Sequence, residues 1–389
     1  MTILIAIADL GLGGAQQIVI NLSNSLVNKG HRILLFDVFP DLRKEGMIRK
    51  LDKQIELISP KYSERPKHLF ERIVNSLKYR TGLDKQYLKH KREKQHIKDL
   101  QHIIENTTVD IVNSHVFWAD EFVLKYLRYL HKNWWVTLHG SYVELSRRED
   151  APYFKKQIKL ISERAKGFIY LSKEELDLVT STANSKKLRK KFIPNGIPLK
   201  DFPIKRDVHG SISKILVASR AIIEKGWDEA ILAVIELNEK GFPLNLLLAG
   251  DGPILEELKN AYKKYDYIHF LGYQENVHEL IQESDVVLLP SYYEMFPTIL
   301  IESIVCGTPV IATDKGETKF IVQGNGRDCG LILSSSIQIL KDEIIKGLET
   351  YLLNRDLYNL HSANAKLDRD RFNIDRIADI YVELYLTEE

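Results

Sequence analysis

Asp285-Val286-Val287-Leu288-Leu289-Pro290-Ser291-Tyr292-Tyr293-Glu294-Met295-Phe296-Pro297-Thr298-Ile299-Leu300-Ile301-Glu302 reads in three parts. Val286 to Leu289 is short and wholly apolar, as expected of a strand buried on both faces of a parallel sheet. Pro290 to Phe296 is a loop. A helix then opens with Pro297 at its first position, where a missing N–H costs nothing, and stops at Gly307, a residue suited to a left-handed C-terminal turn. Pro309-Val310-Ile311-Ala312 is the next strand. Strand, helix and parallel strand together predict an open α/β sheet.

The loop of such a unit lies at the carboxyl end of its strand, where ligands bind in open α/β sheets. The first N–H groups of the helix face that crevice and favour an anion. Glu294 stands just before the helix, and Glu302 lies one turn beyond Thr298 on the same face. An anion site flanked by carboxylates suits a ligand with both phosphates and hydroxyls, because carboxylates accept hydrogen bonds from sugar hydroxyls. Taken singly, Glu302 also reads as an ordinary solvated helix residue. The whole string is more specific. It resembles the Glu-x7-Glu signature of the retaining family 4 glycosyltransferases, including the Phe296-Pro297-Thr298 between the two acids.

The 389 residues suffice for two domains of ordinary size, and the 44% apolar fraction is that of a globular chain. The only two cysteines, Cys306 and Cys329, read as reduced thiols rather than a disulfide. No Cys/His cluster has zinc spacing, no apolar run reaches the roughly 20 residues of a membrane span, and Met1 to Ala8 reads as a first strand, not a signal peptide. The net charge of +2 conceals an asymmetry. Residues 1–206 hold 38 Lys and Arg against 23 Asp and Glu, a surplus of +15, whereas residues 207–389 hold 17 against 30, a deficit of −13. Two domains with different partners would produce such a division.

Thr2 to Ile7 reads as a buried strand, followed by a loop with Gly11, Gly13 and Gly14 and a helix over Ala15–Lys29. This opening resembles a Rossmann-type unit, although its glycine spacing is not the dinucleotide fingerprint. The glycines alone imply no more than a tight turn. The family resemblance implies that Gly13-Gly14-Ala15-Gln16 lies against donor phosphate and acceptor. Asp110–His115 and Trp134–Gly140 read as strands with polar carboxyl ends, so His115 and His139 fall where ligands bind. A histidine there is often only a structural hydrogen-bonder; His139-Gly140 additionally matches the family position that contacts the donor sugar.

Ile193-Pro194-Asn195-Gly196-Ile197 resembles the turn that ends the family's first domain. The resemblance implies an N-terminal, acceptor-side domain over 1–197, a linker over 198–213, a nucleotide-sugar domain over 214–371, and a closing helix over 372–389 that crosses back to the first domain. In the second domain, Arg220 and Lys225 match the residues that neutralise the leaving diphosphate, as bidentate guanidinium and point charge. Gly250-Asp251-Gly252-Pro253 matches a donor-binding turn, and Phe270-Leu271-Gly272 starts the segment near the nucleobase. Two departures stand out. Met295 replaces a frequent Gly, and Gly316-Glu317-Thr318-Lys319-Phe320 stands where relatives carry Gly-Gly-x-Pro-Glu, with Glu317 as a substitute acid.

The implied fold is α/β, with two Rossmann-like domains facing across a cleft, the GT-B architecture. The implied activity is retaining transfer of a sugar from a UDP- or GDP-linked donor to a glycan or lipid-linked acceptor, in bacterial surface polysaccharide or glycolipid synthesis, with no metal and no further cofactor. The resemblance implies catalytic roles for Glu294, Arg220, Lys225 and His139. It implies donor contacts for Gly13, Gly14, Gln16, Gly250, Asp251, Gly252, Phe296, Pro297, Thr298 and Glu302. The alternatives are a nucleotide-sugar 2-epimerase of the same architecture and a non-catalytic nucleotide-sugar-binding protein.

The segment 61–98, with 12 Lys and Arg against four acids and Leu69, Ile73 and Leu77 at helical spacing, can lie on an anionic membrane surface. It reads equally well as a solvated helix pair. A second basic cluster, Lys186-Lys187 with Arg189-Lys190-Lys191, adds to the first. The expected place is the cytoplasm, with attachment to the inner face of the cell membrane as an option. Nucleic acid is not an expected partner, because no recognition motif accompanies the charge.

Overall fold

A computed structural model describes residues 1–58, 97–98, 100–127, 133–149, 151–183, 188–204, 211–324, 326–334 and 337–387. The basic segment 61–98 lies almost wholly outside the described residues, as do Lys186 and Lys187. The chain forms two compact units: Met1–Tyr170 with Asp177–Lys191, and Leu171–Leu176 with Phe192–Glu389.

The first unit is built on a seven-stranded sheet of β1 (Thr2–Ile7), β2 (Arg32–Asp37), β3 (Glu56–Ile58), β4 (Ile111–His115), β5 (Trp134–Thr137), β6 (Gly167–Tyr170) and β7 (Arg189–Phe192), in the order β3-β2-β1-β4-β5-β6-β7. The second holds six strands: β8 (Lys214–Ala218), β9 (Asn245–Ala249), β10 (Ile268–Gly272), β11 (Val286–Leu289), β12 (Val310–Thr313) and β13 (Gly330–Leu333), in the order β10-β9-β8-β11-β12-β13. Neighbours β1–β4, β4–β5, β8–β11 and β11–β12 all pair in parallel. In each sheet the strand order reverses once, between β1 and β4 and between β8 and β11. Such switch points open a crevice at the carboxyl ends of the strands.

The apolar runs become strands because both faces are covered. Val286, Val287 and Leu288 are fully buried, and each such side chain contributes roughly 1.5–3 kcal/mol by leaving water. Helix Thr298–Cys306 covers one face with Leu300, Ile301 and Ile304 and ends at Gly307, held at φ 81. Pro297 stands one position ahead of the expected one: it is the cap residue, with ψ at 112, and the helix begins at Thr298. Buried tryptophans anchor both cores through their N–H groups. Trp134 donates to Ser114 Oγ at 2.7 Å and Trp227 to Ser219 Oγ at 2.9 Å. The last helix, Ile374–Leu386, is capped by the Asn373 side chain, which accepts from Asp375 N–H.

Candidate functional site

In the second unit, the loops after β8, β9, β11 and β12 interlock, and glycines make the close approaches possible. Gly226 lies in the left-handed region at φ 64, where an added Cβ would sit 2.1 Å from the Pro290 carbonyl oxygen. The β8 loop, with Arg220 and Lys225, is thereby pressed against the β11 loop, and Tyr292 N–H donates to the Glu224 carbonyl at 2.8 Å. Gly250 and Gly252 press on the other side, where a Cβ would meet the carbonyl oxygens of Ser219 at 1.8 Å and Ala221 at 2.3 Å. Gly316, at φ 55, packs against the Glu294 and Met295 carbonyls, and Glu317 N–H donates to Met295 O at 2.8 Å.

The interlock brings together two of the predicted residues. Lys225 Nζ lies 2.5 Å from Glu294 Oε1, and both side chains are mostly shielded, at 15% and 11% exposure. An ion pair taken out of water is strong only with good geometry and costly to break on one side. Lys225 is therefore a cation fixed at the switch point, not a mobile surface residue. Arg220 is exposed, two residues beyond the end of β8. Helix Thr298–Cys306 has no side-chain cap; Leu300 N–H turns back to the Pro297 carbonyl at 3.3 Å, which leaves the N–H groups of Thr298 and Ile299 to face an anion. Thr298 and Glu302 are half-buried, while Phe296 and Pro297 are buried in the loop wall.

Other predicted residues have structural partners. Asp251 is exposed, and its carboxylate accepts from Gly252 N–H at 2.7 Å, closing the turn. The substitute acid Glu317 accepts from Lys173 N–H at 3.0 Å, so its carboxylate is engaged at the start of helix Lys173–Ala183.

In the first unit, the switch point lies between the glycine loop after β1 and the end of β4. Gly13 and Gly14 are exposed at the start of helix Gly14–Asn28, which also lacks a side-chain cap. Gln16 folds back and donates to Asp9 Oδ1 at 3.2 Å, and Gly11 N–H donates to the same oxygen at 2.8 Å. The register that places His115 beside Thr137 carries His139 close to it. His115 Nδ1 and His139 Nε2 are 2.9 Å apart, and His115 Nε2 is 2.9 Å from Asn113 Oδ1. Burial pulls His139 down to about 4, while burial and the adjacent His139 ring pull His115 well below its usual value. Both rings are neutral at neutral pH. Val116, immediately after His115, is held at φ 73 and ψ 138, a costly conformation for a β-branched residue.

Asp9 and Asn113 were not expected at a site. A sequence signal existed for Asn113: it shares a strand face with His115 at i and i+2, a polar pair in an otherwise apolar strand. For Asp9 the signal is weaker, an acid directly after the first strand.

Comparisons with known proteins also match the chain in two parts. Residues 12–201 match the family model described as Glycosyltransferase Family 4, and residues 205–368 match the one described as Glycosyl transferases group 1. The N-acetyl-alpha-D-glucosaminyl L-malate synthase of Bacillus anthracis is 40% identical over 109 residues, 25% of this chain and 28% of its own. The N,N'-diacetylbacillosaminyl-diphospho-undecaprenol alpha-1,3-N-acetylgalactosaminyltransferase of Campylobacter jejuni is 28% identical over 175 residues, 44% of each chain. The match spans between 27% and 58% of the length of these and the other curated relatives compared. Among solved structures, HepE of Anabaena in complex with UDP superposes with a TM-score of 0.74 at 16% identity, over 99% of both chains. That likeness is one of fold: two Rossmann-like units of parallel sheet, the GT-B architecture.

Proposed function

We propose that this chain, built of a family 4 glycosyltransferase domain followed by a group 1 glycosyltransferase domain, moves a sugar from a nucleotide-sugar donor to a glycan or lipid-linked acceptor, with retention of configuration. The observation that carries this reading is the shielded Lys225–Glu294 pair beside an uncapped helix start at a switch point. It sets a fixed cation and a hydroxyl-binding carboxylate next to an anion site, the combination that a sugar diphosphate requires.

In the reaction, the bond between the anomeric carbon and the diphosphate oxygen breaks. A bond to the acceptor oxygen forms on the same face of the sugar, and the acceptor proton passes to the departing phosphate oxygen. Arg220, Lys225 and the first N–H groups of helix Thr298–Cys306 stabilise the charge on that phosphate. Preorganised groups of this kind are typically worth about 2–4 kcal/mol each. Glu294 holds the sugar near the reacting carbon, Glu302 holds the ribose, and His139 contacts the sugar. Countercharge comes from these side chains, so the reaction runs without a divalent metal, and a chelator leaves turnover unchanged. UDP- and GDP-linked sugars are the proposed donors.

The +15 surplus of residues 1–206 supports an anionic acceptor or membrane surface, at the inner face of the cell membrane. Among the described residues no helix is long and apolar enough to cross a membrane. The test is incubation with labelled UDP- and GDP-sugars and a panel of glycan and lipid-diphosphate acceptors. Transfer supports the reading. Release of an epimerised sugar nucleotide, or binding without any conversion, replaces it with an epimerase or a non-catalytic binding protein.

A further inference from the structure

The reading above uses His139 and leaves its neighbours Asn113 and His115 without a role. Both are fully buried, and polar groups so placed demand matched partners. The heavy-atom partners settle where the protons lie. Asn113 Nδ2 is 3.2 Å from the Trp135 carbonyl oxygen and 2.9 Å from Thr137 Oγ1. A carbonyl can only accept, so the amide NH2 faces it and Oδ1 faces His115. Oδ1 likewise can only accept, so His115 Nε2 carries a proton and donates across 2.9 Å. The ring is neutral, and its Nδ1 therefore holds a lone pair. His139 Nε2, 2.9 Å away, must donate to it. That places the single proton of His139 on Nε2 and leaves its Nδ1 bare. Nδ1 has no hydrogen-bond partner among the described residues, and His139 is half-buried where His115 is fully buried.

We propose that His115 is a positioning residue: Asn113 and His115 together fix the proton of His139 on Nε2, so that His139 Nδ1 is presented as an acceptor for a hydroxyl of a bound sugar. The sugar half of this statement rests on the glycosyltransferase reading, and the tautomer half does not. The distinction matters for specificity. A bare nitrogen takes a donor such as a hydroxyl and rejects a ring oxygen, a carbonyl or a phosphate oxygen, whereas an N–H at the same place would take any of them. The strained backbone at Val116 follows β4 directly and is held by its surroundings: the Val116 carbonyl accepts from Ala119 and Asp120 N–H as the next helix begins.

The first test is the nitrogen-15 spectrum of the full-length wild-type protein labelled at histidine, with the two rings assigned by the signals lost in His139→Gln and His115→Asn. The expected result is a pyrrole-type Nε2 and a pyridine-type Nδ1 for both rings. A His139 ring protonated on Nδ1, or averaging between tautomers, overturns the proposal. The second test is rescue. His115→Asn places an amide oxygen near the former Nδ1 and can still accept from His139, whereas His115→Leu cannot. With folding of both checked by thermal melting, the Asn variant keeps the His139 tautomer and a sugar-substrate KM near wild type. The Leu variant loses the single tautomer and raises KM about tenfold, the scale of one hydrogen bond. Equal KM in the two variants overturns the proposal. A wild-type protein that transfers no sugar defeats the functional reading and the sugar half with it. A wrong tautomer in a protein that does transfer sugar defeats the proposal alone.

Discussion

At the carboxyl end of the second sheet, Lys225 and Glu294 meet as full charges 2.5 Å apart; at the carboxyl end of the first, His115 and His139 meet as neutral rings 2.9 Å apart. Both pairs sit at a topological switch point of a parallel sheet, and a glycine-bearing loop adjoins each. The scaffold is the same, so the scaffold does not choose the chemistry. What differs is how each unit treats charge. In the second, tight glycine contacts lock a cation and a carboxylate together. In the first, burial disfavours the charged rings, and the histidines meet through a hydrogen bond between neutral groups.

The comparison breaks first if charge proves unimportant in the second unit. Lys225→Ala and Arg220→Ala are each expected to remove about 2–4 kcal/mol of transition-state stabilisation, measured as kcat with a labelled donor. Near-wild-type turnover in both would remove the leaving-group role. Gly226→Ala tests the lock itself. Its left-handed backbone and the Pro290 carbonyl leave no room for a Cβ, and strain of this kind costs about 1–3 kcal/mol. Both the melting temperature and the affinity for UDP or GDP should fall; an unchanged melting temperature would mean that the loops are not locked.

Smaller effects sharpen the picture. Glu302→Gln is expected to weaken nucleotide binding about tenfold, about 1.4 kcal/mol, without unfolding the protein, because a charge-assisted hydrogen bond becomes a neutral one. Calorimetry with unchanged affinity would free Glu302 from that role. For the neutral pair, the sign of the pH effect follows from the direction of the shifts. His139 titrates near 4 when folded and near 6.5 as an ordinary histidine, so the unfolded chain binds more protons between these values. Stability is therefore lost as pH falls from about 6.5 towards about 4, and His115 and His361, also lowered, act in the same direction. Melting curves of wild type and His139→Gln across that window should show a shallower pH slope in the variant. The smallest effect expected concerns the basic half: each basic residue near an anionic bilayer adds up to about 1 kcal/mol, which salt screens. Co-sedimentation with anionic but not neutral vesicles, weakened by salt, would support the membrane reading. Equal binding to both, or none, would leave the charge as a solvated face.

The stretch from Asp285 to Glu302 was legible because its signals are local: an apolar run, a proline, a glycine stop. The same holds for β1 and its glycine loop. The pairing of Lys225 with Glu294 was not legible, although both residues were, because it depends on Gly226 approaching Pro290 across 64 positions of chain. The histidine relay depends on the register between β4 and β5, which no single strand encodes. Glu317 shows the converse. Its position in the sequence suggested a donor contact, and the fold adds a partner that no local signal announced: one carboxylate oxygen accepts from Lys173 N–H. A residue type and its place in a motif say what it can bind, while competition among neighbours decides what it does bind.

The missing side chain of Gly226 has a consequence for variation as well as for geometry. Because Gly226, Gly250, Gly252 and Gly316 each touch a neighbouring carbonyl where a Cβ would stand, the four loops form one heritable part: a change in any of them disturbs the others. Under the proposed function, selection for a new sugar or base is expected to act away from these four glycines. Tyr273, 57% exposed just beyond β10, is one residue outside the interlock where substitution meets no such barrier. Random mutagenesis selected for altered donor preference should accumulate changes at such rim positions while these four glycines stay unchanged.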